Sequence, residues 1–224
     1  MDAPSSSAVD RSDAERLDRD DPLAPWRSEF QVPDGVVYLD GNSLGMLPTR
    51  TVDALRHTVE HEWADALITS WWTNGWLDLP LTVGDELAPL IGAEPGEVIV
   101  HDSTTIGLFQ LVNAALDIAA TQSGEHPGPN GDQVVVIEST EFPTDRYVAD
   151  GIARLRSHPE RRITVRPGLD DLSDASVVVR SLVDYRTAAL AALRAETERA
   201  RDAGAITVWD LSHAAGVVEV DLAG

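Results

Sequence analysis

Val134-Val135-Val136-Ile137 is an unbroken apolar run between polar neighbours, and few settings in a folded chain can take one. A strand of this kind has both faces covered, which is the mark of a parallel sheet rather than of a half-wet antiparallel one. Val177–Val179 is a further run of this type, Ile206–Trp209 is apolar but for Thr207, and a shorter strand is expected at about 162–165. The stretches between them carry helical periodicity, over about 144–156 and 187–203. Strands that alternate with helices predict an α/β fold, a mostly parallel sheet with helices on both faces.

The upstream half continues the pattern less regularly. Val98-Ile99-Val100 reads as a strand running into a helix over about 105–120, and a helix is expected over about 78–91. Pro48 and Thr49 open a helix predicted to run to about Ser70, with Val52, Leu55, Val59, Trp63 and Leu67 on one face. Trp71–Trp76 reads as an aromatic-rich loop, Gly124–Asp132 as a surface loop and Val36–Leu39 as a short strand. Residues 1–25 are polar and acidic and are expected to form a mobile tail, with at most a short helix near Asp13–Leu17. The chain therefore divides into a tail at 1–25, an N-terminal segment at 26–75 and a large domain at 76–224 that stops without a closing element.

Charge and composition exclude several functions. A formal net charge of -21 repels nucleic acid and anionic membrane, which are bound through clusters of Lys and Arg. The start lacks the basic and apolar regions of a secretory signal, and no unbroken run of about eighteen apolar residues occurs, so a cytoplasmic location is expected. There is no cysteine, hence no disulfide, thiolate ligand or thiol nucleophile. All seventeen basic residues are arginine. Without lysine, no side chain can form a Schiff base, because the guanidinium stays protonated.

In open α/β sheets, ligands gather beyond the C-terminal strand ends. Asp102-Ser103-Thr104-Thr105 stands where a helix begins, and its hydroxyls and free N–H groups suit a phosphate; they equally suit an ordinary N-cap. Phe142-Pro143-Thr144-Asp145 follows the strand at 134–137, offering a ring for stacking and a carboxylate, or simply a proline-led helix start. Asp210 ends the strand at 206–209 with His213 three residues on. A carboxylate there can hold the proton of a pyridine nitrogen, or cap a turn. No third ligand accompanies Asp210 and His213, and His57 and His61 lack an HExxH context, so no metal site is expected. The succession of phosphate turn, stacking aromatic and acidic strand end describes fold-type I enzymes that use pyridoxal 5'-phosphate (PLP).

Asp40-Gly41-Asn42-Ser43-Leu44-Gly45 resembles the N-terminal signature of the kynureninase family, and the three segments above fall in that family's order. The resemblance covers about residues 28–224. It implies PLP as cofactor, with Thr104 and Thr105 on the phosphate, Phe142 stacked on the ring beside Pro143, Thr144 and Asp145, and Ser181 and His213 supporting the cofactor. It implies that Asp210 pairs with the pyridine nitrogen, while Ser43 and Trp71 face the substrate. The activity implied is hydrolysis of L-kynurenine, and of 3-hydroxykynurenine, to L-alanine and anthranilate or its hydroxy derivative. The resemblance also places that activity in tryptophan catabolism, in a homodimer. The family's lysine lies beyond the last residue, Gly224, so the chain is expected to be a truncated, inactive form. A different PLP enzyme of the same class, or a non-catalytic remnant of the fold, are the competing readings.

Overall fold

The computed structural model describes residues 10–122 and 131–222. The expected loop at Gly124–Asp132 lies largely outside the described residues. The chain forms two compact units, Met1–Trp76 and Leu77–Gly224.

In the first unit the tail contains a helix, α1 (Arg11–Asp20), longer than the short turn expected there. A capping box explains it: the Asp10 side chain accepts from the Asp13 N–H while the Asp13 carboxylate accepts from the Asp10 N–H. Val36–Leu39 is not a strand. The short strands are β1 (Phe30–Gln31) and β2 (Leu47–Pro48), paired antiparallel. The helix expected from Pro48 to Ser70 is broken into α2 (Thr49–His57), a π-helical turn (Thr58–Trp63), α3 (Ala64–Ala66), a 3-10 turn and α4 (Ser70–Thr73). Leu67 adopts φ 50°, which an L-residue cannot propagate as helix. The hydroxyl of Ser70 donates to the Glu62 carbonyl, taking an acceptor from the ladder. α4 also turns half of the expected aromatic loop into helix. Ser70 is the only buried residue described in this unit, so the unit has no core of its own.

The second unit holds the core. It opens with α5 (Leu79–Leu87) and a long helix, α6 (Thr104–Gln122). Then come β3 (Gln133–Ile137), α7 (Pro143–Arg156), β4 (Ile163–Arg166), β5 (Val177–Ser181), α8 (Leu193–Asp202) and β6 (Ile206–Asp210). The sheet order is β4-β3-β5-β6 and every pairing is parallel. Alternation along the strands divides the core. Val135, Ile137, Val177 and Val179 pack with α6 and α7, while Val136 and Val178 pack with Leu172 and Ala200 on the opposite face. α6 is long and apolar enough to cross a membrane by length and composition, yet it sets Leu108, Val112, Ala115, Leu116 and Ala119 into this core.

Val98–Val100 is not a strand either. No described strand pairs with it; instead the Val100 N–H donates to the Pro80 carbonyl, and the Val98 carbonyl lies against Gly84 of α5. A Cβ on Gly84 would sit 2.0 Å from the Val98 oxygen. Gly84→Ala is therefore expected to push the segment off α5 and cost on the order of 1–3 kcal/mol, as overpacking does. Urea denaturation of the two proteins checks this, and equal midpoints would show that the approach is not a constraint. The helix expected from 187 starts only at Leu193, because the Asp184 carboxylate accepts from the Arg186 N–H, the Thr187 N–H and the Thr187 hydroxyl. Such local turns compete with helix.

Candidate cofactor site

The C-terminal ends of β3, β5 and β6 converge. Ser181, the last residue of β5, is buried and its hydroxyl lies 3.4 Å from the Asp210 carboxylate at the end of β6, its register partner. Asp145, in the first turn of α7, is 3% exposed and makes side-chain contact with Asp210. Burial, then the Asp210 charge and hydrogen bond, then Glu141 push the Asp145 carboxyl up to about 7. Its Oδ2 is buried with no donor reaching it. A carboxylate disfavours ionisation of a carboxyl group in contact with it, unless a cation lies between them.

Aromatic groups stand beside this pair. Phe142, just ahead of α7, is 39% exposed. Tyr185 meets it edge-on at 5.0 Å, and His213 lies 6.5 Å from Phe142 and 6.4 Å from Tyr185. Asp210 also accepts from the Ser212 N–H at 2.8 Å, shaping the turn that carries His213. The Ser212 hydroxyl is 3.4 Å from that of Thr104, which joins the start of α6 to the same place. Thr104 and Thr105 are exposed on the first turn of α6, where helix geometry leaves N–H groups without an intrahelical acceptor. Pro143 and Thr144 are half-buried at the start of α7.

The structure thus brings Thr104, Phe142, Asp145, Ser181, Asp210 and His213 together, with Thr105, Pro143 and Thr144 beside them in sequence. Ser43 and Trp71 belong to the other unit: Ser43 is exposed in a turn, and Trp71 packs edge-on against Trp76 at 6.3 Å. His57 and His61 are exposed there, their rings 5.1 Å apart. Sequence reasoning missed Tyr185 and the carboxyl contact. Tyr185 sits in the Asp184 turn, whose Asp-x-x-Thr spacing was the available signal.

These residues gather at the C-terminal strand ends of a parallel sheet. The fold is that of PLP-dependent enzymes: a lysine-to-alanine mutant of C-DES with glycine covalently linked to its PLP cofactor matches with a TM-score of 0.59 at 17% identity, covering 87% of this chain and 51% of that one. The cystine C-S lyase C-DES in complex with its product cysteine persulfide matches at 0.55 and 16%, over 84% and 50%. In sequence the chain is a homologue of the kynureninases. It is 44% identical to that of Burkholderia pseudomallei (strain 1106a) over 220 residues, 96% of this chain and 51% of the relative. It is 41% identical to that of Pseudomonas fluorescens over 221 residues, 95% and 50%. The chain spans about half the length of these curated relatives. No family model matches.

Proposed function

We propose that this chain carries the PLP-binding part of a kynureninase, an enzyme that hydrolyses the Cβ–Cγ bond of L-kynurenine to give anthranilate and L-alanine. The observation that carries the reading is the Asp145–Asp210 pair at the strand ends beside an exposed aromatic ring. The buried, donorless Oδ2 of Asp145 fits a group that brings a cationic N–H into the cleft, as the PLP ring does. Bound PLP would supply an electron sink for the amino-acid substrate. The chain's own residues do the rest by placement. Asp210, steadied by the Ser181 hydroxyl and the Ser212 N–H, would hold the proton on the ring nitrogen. Phe142 would offer its ring for stacking, with His213 beside it. Thr104 and Thr105 would receive the phosphate on the N–H groups that open α6. The 224 residues include no lysine side chain for covalent attachment, so the contacts proposed for them are non-covalent.

Ser43 and Trp71 are proposed to contact the substrate, with 3-hydroxykynurenine as a second substrate. The exposed side chains Trp63, Leu67 and Trp72 support assembly as a homodimer, proposed here for a cytoplasmic enzyme of tryptophan catabolism.

The chain is expected to bind PLP saturably in equilibrium dialysis. Borohydride treatment should then leave no pyridoxyl group on any side chain by mass spectrometry. Phe142→Ala is expected to weaken binding by about tenfold, the worth of one stacking ring. Absence of saturable binding would refute the cofactor reading. The substrate reading is tested by anthranilate release from L-kynurenine by the protein of the whole reading frame.

A further inference from the structure

β5 ends Val179-Arg180-Ser181, and alternation sends the last two side chains to opposite faces. Ser181 continues the face of Val177 and Val179 and meets Asp210. Arg180 continues the face of Val178, toward α8. An arginine at the end of an inner strand, three-quarters buried, needs partners, and it has two. Its Nη1 donates to Glu141 Oε1 at 2.7 Å and its Nε to Glu196 Oε2 at 3.1 Å.

Glu141 is 4% exposed and directly precedes Phe142. It belongs to a strap, residues 138–142, that carries the chain from β3 to α7. The strap is fastened twice: Glu138 Oε1 accepts from the Leu169 N–H at 2.9 Å, and Glu141 is held by Arg180. Glu196 stands in the first turn of α8 and also accepts from the Ala192 N–H at 3.2 Å, so the anchor is itself fixed. Phe142 and Asp145 both hang from this strap, since the Asp145 N–H donates to the Phe142 carbonyl at 3.0 Å. Without Arg180, the buried Glu141 charge would have no counter-ion and would turn toward water, taking its neighbour with it.

We propose that Arg180 is a positioning residue of the cofactor cleft: paired with Glu141 and Glu196, it fixes the strap and thereby the seats of Phe142 and Asp145. The PLP arm of the test rests on the function proposed above; the ligand-free arm does not. Arg180→Lys, Arg180→Met and the double variant Glu141→Gln/Arg180→Met are made in the 224-residue chain. Without ligand, NMR reads the cross-peaks between the Phe142 and Tyr185 rings and the titration of the Asp145 carboxyl. The charged groups acting on that carboxyl are Asp210 on β6 and Glu141 on the strap, with Arg180 behind Glu141; Arg146 follows it on α7, and the titratable His213 stands beside Phe142 on the turn after β6.

In Arg180→Met the ring cross-peaks are expected to fade, the Asp145 midpoint to fall below about 7 as the Glu141 charge turns away and the burial loosens, and PLP affinity to fall about tenfold as the stacking ring is lost. Arg180→Lys should recover most of each. The double variant leaves no fully buried charge unpaired, since Glu196 is a quarter exposed and still accepts from the Ala192 N–H, and so it keeps the fold, but its strap is unfastened. Its thermal midpoint should therefore return toward that of the unaltered chain while its ring cross-peaks and PLP affinity stay low. The proposal is overturned if the double variant keeps both the ring cross-peaks and PLP affinity within twofold of the unaltered chain. It is equally overturned if a folded Arg180→Met does. If the unaltered chain binds no PLP, the cofactor reading fails, and the cross-peaks and titration alone decide the role of Arg180.

Discussion

Asp145→Asn is expected to be more stable than the unaltered chain at pH 8 and no more stable near pH 4. In the folded chain the Asp145 carboxyl titrates at about 7, against about 3.9 for an exposed aspartate. Between those values the folded state holds a proton that the unfolded chain has released, so stability declines as pH rises. The favourable contribution is complete below about pH 4 and gone above about pH 7. Three pH units correspond to roughly 4 kcal/mol. Asparagine keeps the shape, never ionises, and can donate an N–H to Asp210, so the variant escapes the decline. Urea denaturation at pH 4 and pH 8 measures the difference; two proteins that lose stability in parallel would show that Asp145 is not the group responsible.

The second large effect is on the cofactor. Asp210→Ala removes the partner proposed for the ring nitrogen and at the same time the negative charge nearest Asp145. A charge-assisted hydrogen bond is worth about 1.5–3 kcal/mol, so PLP affinity at pH 8 should fall between about tenfold and a hundredfold. The Asp145 midpoint should drop below about 7 while burial, its largest cause, still holds it above the ordinary value. Equilibrium dialysis and carboxyl NMR read the two consequences separately. Unchanged affinity would mean that Asp145, and not Asp210, meets the ring.

The sheet was legible in the sequence wherever a strand is buried on both faces. Val134–Ile137 and Val177–Val179 announce themselves because little but apolar residues fits there, Ile206–Trp209 is legible from its apolar residues although only Val208 is buried, and the β3, β5 and β6 strand ends then locate the candidate site. Val98–Val100 and Val36–Leu39 have the same composition but form no ladder. Strand propensity is realised only against a neighbour, and the described residues supply them none. The break at Leu67 was hidden in a run with good helical periodicity, since a positive φ leaves no mark in composition. Asp145, Asp210 and Phe142 were individually visible. Their meeting, like that of Arg180 with Glu141 across 39 positions, is a product of the sheet order and could not be read from spacing.

That sheet order also sets when the site comes into being. The pairings of β3 with β4, β3 with β5 and β5 with β6 are all parallel, so each closes a loop of about thirty to forty residues and none can start as a hairpin. Sheets of this kind form slowly, after the entropy of long loops has been met. Asp210 closes the last of these strands. During synthesis the Phe142 ring, the Asp145 carboxyl and the Ser181 hydroxyl all leave the ribosome before the one residue that completes the nitrogen seat. A nascent chain therefore cannot assemble the proposed cofactor seat until β6 has paired with β5, and on that reading capture of PLP follows the pairing of these strands rather than guiding it.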